Sequence, residues 1–193
     1  MDSNRRQSST RKETPRRTGP KQVVIPEEPT DEERAALLSR AMYTAIWHIE
    51  RTRKTSGQIR KVLERKAFTD EYIDPTIARL IEINLLDDQA YAHDYVNSRK
   101  RSRGDRSLRN ELRTKGIPVE LIEEALEEEL SEDDQEDAAL ALARKKAASI
   151  PRDLDNQKKT QRIVGTLIRR GFSPSVAFAL AKQVIQELVE EGE

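Results

Sequence analysis

An all-α fold of three tandem three-helix repeats is predicted by two observations on this 193-residue chain. The first is internal repetition. Segments beginning at Gln58, Ser107 and Arg162 superimpose: Leu63, Leu112 and Leu167 coincide, then Lys66, Lys115 and Arg170, then Ala67, Gly116 and Gly171, then Phe68, Ile117 and Phe172. The second is periodicity: apolar residues recur at helical spacing, no segment sustains two-residue alternation, and no Asn-Gly hairpin signal occurs. In each copy a short helix ends at Ala or Gly, one apolar residue follows, and a third helix starts. A module this small buries little alone, so stacked modules forming an elongated, curved body are expected.

Residues 1–30 read as a disordered basic tail, rich in Arg, Lys, Ser, Thr and Pro, with Val23-Val24-Ile25 its only apolar cluster. The first repeat, with a leading helix, is placed over residues 31–86. Thr30 and Glu33 form a capping-box pattern, and Ala41, Met42, Ala45, Ile46 and Ile49 make an apolar stripe. A break at Thr55-Ser56-Gly57 precedes a helix carrying Ile59, Val62 and Leu63, and a third helix carries Ile77, Leu80, Ile81 and Ile83. The second repeat spans 87–130. Asp87 or Asp88 caps a helix with Tyr91, Ala92, Tyr95, Val96 and Arg99 on one side, which Gly104 is expected to end. Leu108 and Leu112 mark the middle helix, stopped by Gly116; Pro118 opens the next, with Ile122, Leu126 and Leu130. The third repeat, 131–193, holds an alanine-rich helix to about Ala148, a middle helix from Asn156 to Arg170 and a last helix from Ser173.

Composition excludes several classes. Only 35% of residues are hydrophobic against 36% charged, a thin core that suits several small helical units better than one large globule. No stretch approaches the roughly 20 apolar residues of a membrane span, and no apolar run follows the basic N-terminus, so no secretory signal is read. There is no cysteine. That removes disulfides, thiolate catalysis and cysteine-ligated zinc, and fits a cytoplasmic protein. The two histidines, His48 and His93, fall on different helices without a Ser/His/Asp or metal-ligand spacing, and no Gly-rich phosphate loop is present. Asp87, Asp88 and Asp94 read as an acidic helix start, which the helix dipole favours without a metal. No catalytic residue, metal or cofactor is expected, and a monomer is.

Charge is strongly patterned within a formal net charge of zero. Residues 1–21 carry seven Lys/Arg and two acids, residues 51–115 sixteen and ten, residues 120–137 eleven acids and no base, and residues 144–170 nine bases and two acids. Within the second block, Arg106, Arg109 and Arg113 fall in a sector of about 60°, opposite Leu108 and Leu112. Arg99, Lys100, Arg101 and Arg103 lie immediately upstream and Lys115 just beyond. This ridge is the candidate partner-binding surface. It meets phosphates or an acidic protein groove, or it is a solvated face. Lys66, Lys115 and Arg170 read as structural, with stems on the core and charges near the negative end of a helix dipole. The acidic run reads as a solvated face that would repel nucleic acid. Trp47, a turn from Tyr43, reads as inter-helix packing rather than a partner contact.

The segment from Leu85 to Leu126 resembles the central signature of the RecX family, regulators of the RecA recombinase. The residues that carry the resemblance are Leu86-Asp87-Asp88, Tyr91-Ala92, Tyr95-Val96, Arg99, Gly104 and Leu108 to Ile117. Asn84 stands where that family has glycine, and Ala67 replaces the glycine seen in the second and third repeats. The resemblance covers about residues 40–190 and implies a non-enzymatic modulator: three stacked repeats that bind the groove of the RecA–single-stranded DNA filament. Suppression of ATPase, strand exchange and co-protease activity would follow, in recombination and the SOS response. The basic ridge or tail itself is compatible with a weak, salt-sensitive single-stranded DNA contact alongside. The rival reading is direct DNA binding by a helix-turn-helix-like pair at 108–115 and 119–129. Its second helix presents Glu120, Glu123, Glu124, Glu127 and Glu128 where Arg, Asn or Gln should face base edges, which argues against it.

Overall fold

The computed structural model describes residues 21–151 and 153–190; the tail expectation for residues 1–20 lies outside the described residues. Among these the chain is all-α: α1 Asp31–Ile49, α2 Ser56–Arg65, α3 Asp70–Glu82, α4 Asp88–Arg99, α5 Asp105–Thr114, α6 Val119–Glu129, α7 Glu132–Ala148, α8 Asn156–Arg169 and α9 Pro174–Glu190. The helix pairs that pack along their lengths all lie within one triplet, α1–α3, α4–α6 or α7–α9.

Local chemistry starts these helices. The Thr30 N–H donates to Glu33 at 2.8 Å and the Glu33 N–H donates back to Thr30 Oγ1, a closed capping box. Thr55 and Gln58 repeat the device at α2. Asp87 accepts from the Ala90 N–H at 2.8 Å, and Ser131 from the Asp134 N–H at 3.0 Å. The middle helices stop at left-handed residues: Ala67 (φ 65°), Gly116 (φ 79°) and Gly171 (φ 92°).

Each triplet closes its own core. The aligned sets Ile59, Leu108, Ile163 and Leu63, Leu112, Leu167 are all at 0% exposure. Phe68, Ile117 and Phe172, one residue past the left-handed turn, are buried against them. Two expectations change here. Ile81 and Ile83 are exposed, because α3 turns Tyr72, Ile73, Ile77 and Leu80 inward instead. Residues 21–30, assigned to the tail, include Val23, which is buried in the first core while its N–H donates to Lys66 O at 2.9 Å. The short apolar cluster is therefore a structural anchor.

The triplets meet at the ends of their middle helices, in reverse chain order. The C-terminus of α8 meets the N-terminus of α5, and the C-terminus of α5 meets the N-terminus of α2. Arg170 O accepts from the Gly104 N–H at 2.9 Å, and Lys115 O accepts from Thr55 Oγ1 at 2.6 Å. Opposite dipole ends are thus brought together. Gly104, expected to end α4, is instead the N-cap of α5; the contact with the third repeat explains why it is glycine. A Cβ at Gly57 would lie 2.6 Å from Gly116 Cα, and one at Gly104 would overlap the Gly171 carbonyl carbon. The next repeat also caps the helix start of the one before. The Ser56 N–H donates to Asp88 at 2.8 Å, and the Asp105 N–H donates to Gln135 at 2.9 Å.

Gly57→Ala leaves backbone strain unchanged and acts only by overpacking the junction. It should cost about 1–3 kcal/mol in denaturant unfolding, with the helical circular-dichroism signal retained below the transition. Ala67→Gly should do the reverse, stabilising by roughly 0.5–1 kcal/mol through relief of the left-handed alanine, net of the extra chain entropy of glycine.

Candidate functional site

The eight candidate cations occupy the end of α4, the 100–104 connection and α5 with its C-cap, and the structure sorts them into three groups. Arg101, Arg106 and Arg113 are exposed, and their side chains make no hydrogen bond or ion pair among the described residues. They are the ones available to a partner.

Arg99 and Arg103 converge on Glu111. Arg103 Nε lies 3.2 Å and Arg99 Nε 3.9 Å from its carboxylate, while Tyr95 donates to it at 2.6 Å and Ser107 at 2.8 Å. Partial burial opposes ionisation of Glu111, but the Tyr95 and Ser107 hydrogen bonds and the two arginines prevail and hold its pKa below the usual carboxylate value. Burial first, then the bond to Glu111, pushes the Tyr95 hydroxyl up to about 12. Tyr95 stacks near-parallel on Tyr91 at 6.1 Å, with the Arg99 guanidinium 4.2 Å and the Lys115 ammonium 5.0 Å from its ring. Lys100 reaches the Glu129 carbonyl at 3.0 Å and Asp134 at 3.5 Å, pinning α4 to α6 and α7.

Arg109 forms the third group. It forks onto both oxygens of Glu123, at 2.8 and 2.7 Å, and reaches Asp105 at 3.2 Å. The hydrogen bonds to Glu123, and then those to Asp105, raise its pKa further above the arginine value and lower that of Glu123. Arg106 and Arg109, neighbours on the helical wheel, therefore diverge. Arg106 lines a groove of about 250 Å³ between α5 and the end of α8, with Asn110, Thr114 and Arg169. Arg109 lines a cleft of about 660 Å³ between the second and third repeats, floored by Leu126 and Phe172 and rimmed by Glu123, Glu127 and Glu136.

The remaining candidates are structural. Asp87 caps its own helix, Asp88 caps α2 and Asp94 pairs with Arg53. No group of three metal-ligating side chains occurs among the described residues. His93 Nδ1 faces Glu129 at 3.2 Å; His48 lies edge-on to Trp47, and its pKa is lowered by burial and then by nearby Lys54. The Trp47 ring, expected to pack between helices, is half-buried on α1 beneath the Arg51 guanidinium at 3.3 Å. The outer face of α6 exposes Glu120, Glu123, Glu127 and Glu128, so the α5–α6 pair offers no basic reading helix. Among the described residues no helix is long and apolar enough to cross a membrane.

The comparisons agree with this architecture. Residues 87–126 match the family model described as the second three-helix domain of RecX, and residues 132–180 match the third. The "Regulatory protein RecX" of Streptomyces coelicolor is 34% identical over 144 residues, covering 74% of this chain and 76% of that protein. That of Thermobifida fusca is 31% identical over 158 residues, covering 81% and 83%. The crystal structure of RecX from Lactobacillus salivarius superimposes with a TM-score of 0.68 at 24% identity, over 78% of this chain and 97% of that one. A second crystal structure, of regulatory protein RecX, gives 0.69 at 26% identity, over 80% of each chain. With repeats, junctions and relatives in agreement, this chain belongs to the RecX family of regulatory proteins.

Proposed function

We propose that this protein is a non-enzymatic regulator of the RecA recombinase. It binds the groove of the RecA–single-stranded DNA filament in the cytoplasm and suppresses ATPase, strand exchange and co-protease activity during recombination and the SOS response. Membership of the RecX family carries the reading. The arrangement of the chain supports it: three rigid triplets in series give several contact patches on one body, and weak contacts to successive protomers add through effective concentration. The central patch is the Arg99–Lys115 ridge, and within it Arg101, Arg106 and Arg113 make the contact because their side chains are exposed and make no hydrogen bond or ion pair among the described residues. Arg99, Arg103 and Lys115 hold the patch in shape through Glu111 and the Tyr91–Tyr95 stack. A weak, salt-sensitive contact with single-stranded DNA accompanies filament binding, and the protein acts as a monomer.

The test is the single-stranded-DNA-dependent ATPase of the cognate RecA, titrated with this protein at fixed salt beside a free-DNA binding control. Inhibition is expected well below RecA stoichiometry, with free-DNA binding too weak to sequester the strand. No effect on the ATPase together with tight binding to bare DNA would overturn the reading. The triple variant R101E/R106E/R113E should lose inhibition at least tenfold in the half-inhibitory concentration while keeping its helical signal and unfolding midpoint. Arg109→Gln should give the opposite pattern: a stability loss of about 1 kcal/mol from the broken α5–α6 fork, with inhibition within twofold of the parent.

A further inference from the structure

The cleft of about 660 Å³ between the second and third repeats differs in chemistry from the cationic surfaces around it. Its floor is apolar, formed by Leu126 of α6 with Phe172 and Val176 of the third repeat. Its rim carries carboxylates. Asp105 and Glu123 are taken by Arg109, the cation that lines the cleft. Glu127, Glu132 and Glu136 are exposed and make no hydrogen bond or ion pair among the described residues. Unpaired carboxylates above an apolar floor suit a cationic side chain with a long aliphatic stem, which lays the stem on the floor and its charge on the rim.

The acids continue out of the cleft. Glu120, Glu124 and Glu127 recur at helical spacing along one side of α6. That helix starts just after Lys115 and Gly116, which meet the first repeat, and ends at the cleft, so the strip joins the two junctions. The chain itself supplies a matching segment. Residues 1–20 hold Arg5, Arg6, Arg11, Lys12, Arg16 and Arg17 against Asp2 and Glu13. They join the described chain next to Val23, which is fixed to Lys66 O at the far end of α2. Between that anchor and the cleft, α2 and α5 lie end to end with ten residues each. The path is therefore no more than roughly 40 Å, at about 1.5 Å per helical residue with the junction added. Twenty residues can span up to about 66 Å.

We infer that the basic segment 1–20 docks in this cleft of its own chain. Arg5 and Arg6 lie over the apolar floor among Glu127, Glu132 and Glu136, and the later cations follow the α6 strip. The other flank of α5, with Arg106 and Arg113 exposed, repels the same segment. Each exposed pair is weak on its own. The tether sets an effective concentration in the millimolar range, so several weak pairs suffice, and a second copy of the chain cannot compete at ordinary concentrations. Docked there, the segment adds a salt-sensitive tie across the Gly104–Gly171 contact and holds the second and third repeats in one orientation. The inference does not depend on what the protein regulates.

The chain has no cysteine, so S8C and S175C place two spin labels, one beside Arg5 and Arg6 and one at the exposed start of α9 next to Val176. The test is the electron–electron distance distribution of the full chain, without RecA or DNA. At about 50 mM salt, where the Debye length is about 14 Å, a population at less than half the roughly 40 Å path is expected; at about 500 mM, where it is about 4 Å, that population should fall at least about threefold. E127Q/E132Q/E136Q should remove it at low salt. R5Q/R6Q/R11Q/K12Q should do the same, with changes that leave every core residue intact and the helical circular-dichroism signal unaltered. Absence of the short distance at low salt, or its persistence in both variants, would overturn the inference. The short distance should survive dilution with excess unlabelled chain; its loss on dilution would place the segment in a second copy and overturn docking within one chain. None of these outcomes bears on the ATPase reading, because RecA is absent.

Discussion

A helix of ten residues ends with carbonyl groups that have no partner inside the helix, and the docking of this chain's repeats depends on how its middle helices satisfy them. At the C-cap of each, the carbonyl of Lys66, Lys115 or Arg170 accepts a hydrogen bond from the segment that precedes its repeat. The donors differ chemically: the Val23 N–H, the Thr55 hydroxyl and the Gly104 N–H. Their position does not differ. Reaching that carbonyl requires two backbones to come closer than any Cβ permits, so glycine stands on both sides of each inter-repeat contact, Gly57 against Gly116 and Gly104 against Gly171. Three cores that share no long helix–helix face are thereby fixed in series.

The first and third repeats vary the same device. At the first repeat the residues around Val23 supply the donor that the preceding triplet supplies elsewhere. No glycine partner presses on the left-handed residue there, which is how alanine stands at position 67 at the cost of its φ of 65°. At the other end, α8 begins with Asp155, which caps its own helix by accepting from the Gln157 and Lys158 N–H groups at 3.0 and 3.3 Å. No glycine occupies positions 155–157.

What could be read from the sequence divides along the same line. The capping box at Thr30, the cap at Asp87 and the buried leucines at 63, 112 and 167 depend on partners within a turn or two and were legible; Thr55, read as part of a break, closes a second capping box in the structure. Gly104 did not read correctly, because its role is set by Gly171, sixty-seven positions away in the chain. Asp88 looked like an alternative cap for its own helix and instead caps α2. The ridge read as a uniform cationic sector because a helical wheel shows directions, not partners. Glu111 is on the same helix, yet nothing in the spacing said that it would collect Arg99, Arg103, Tyr95 and Ser107.

Those internal pairings decide which charges can act on anything else. An arginine forked onto a carboxylate must give up two charge-assisted hydrogen bonds before it can meet a phosphate or a partner's acid, whereas an unpaired surface arginine gives up only water. The flank of α5 toward α6 is therefore electrostatically closed: Arg109 is held by Glu123 and Asp105, and Glu127 and Glu136 line the cleft beyond. The flank toward α8 is open, with Arg106 and Arg169 facing one groove and Glu111 already occupied. The two sides of a single helix thus differ in charge, with carboxylates lining one and unpaired cations the other. That asymmetry follows from the pairing of side chains rather than from the amount of charge, since the chain as a whole carries as many acids as bases.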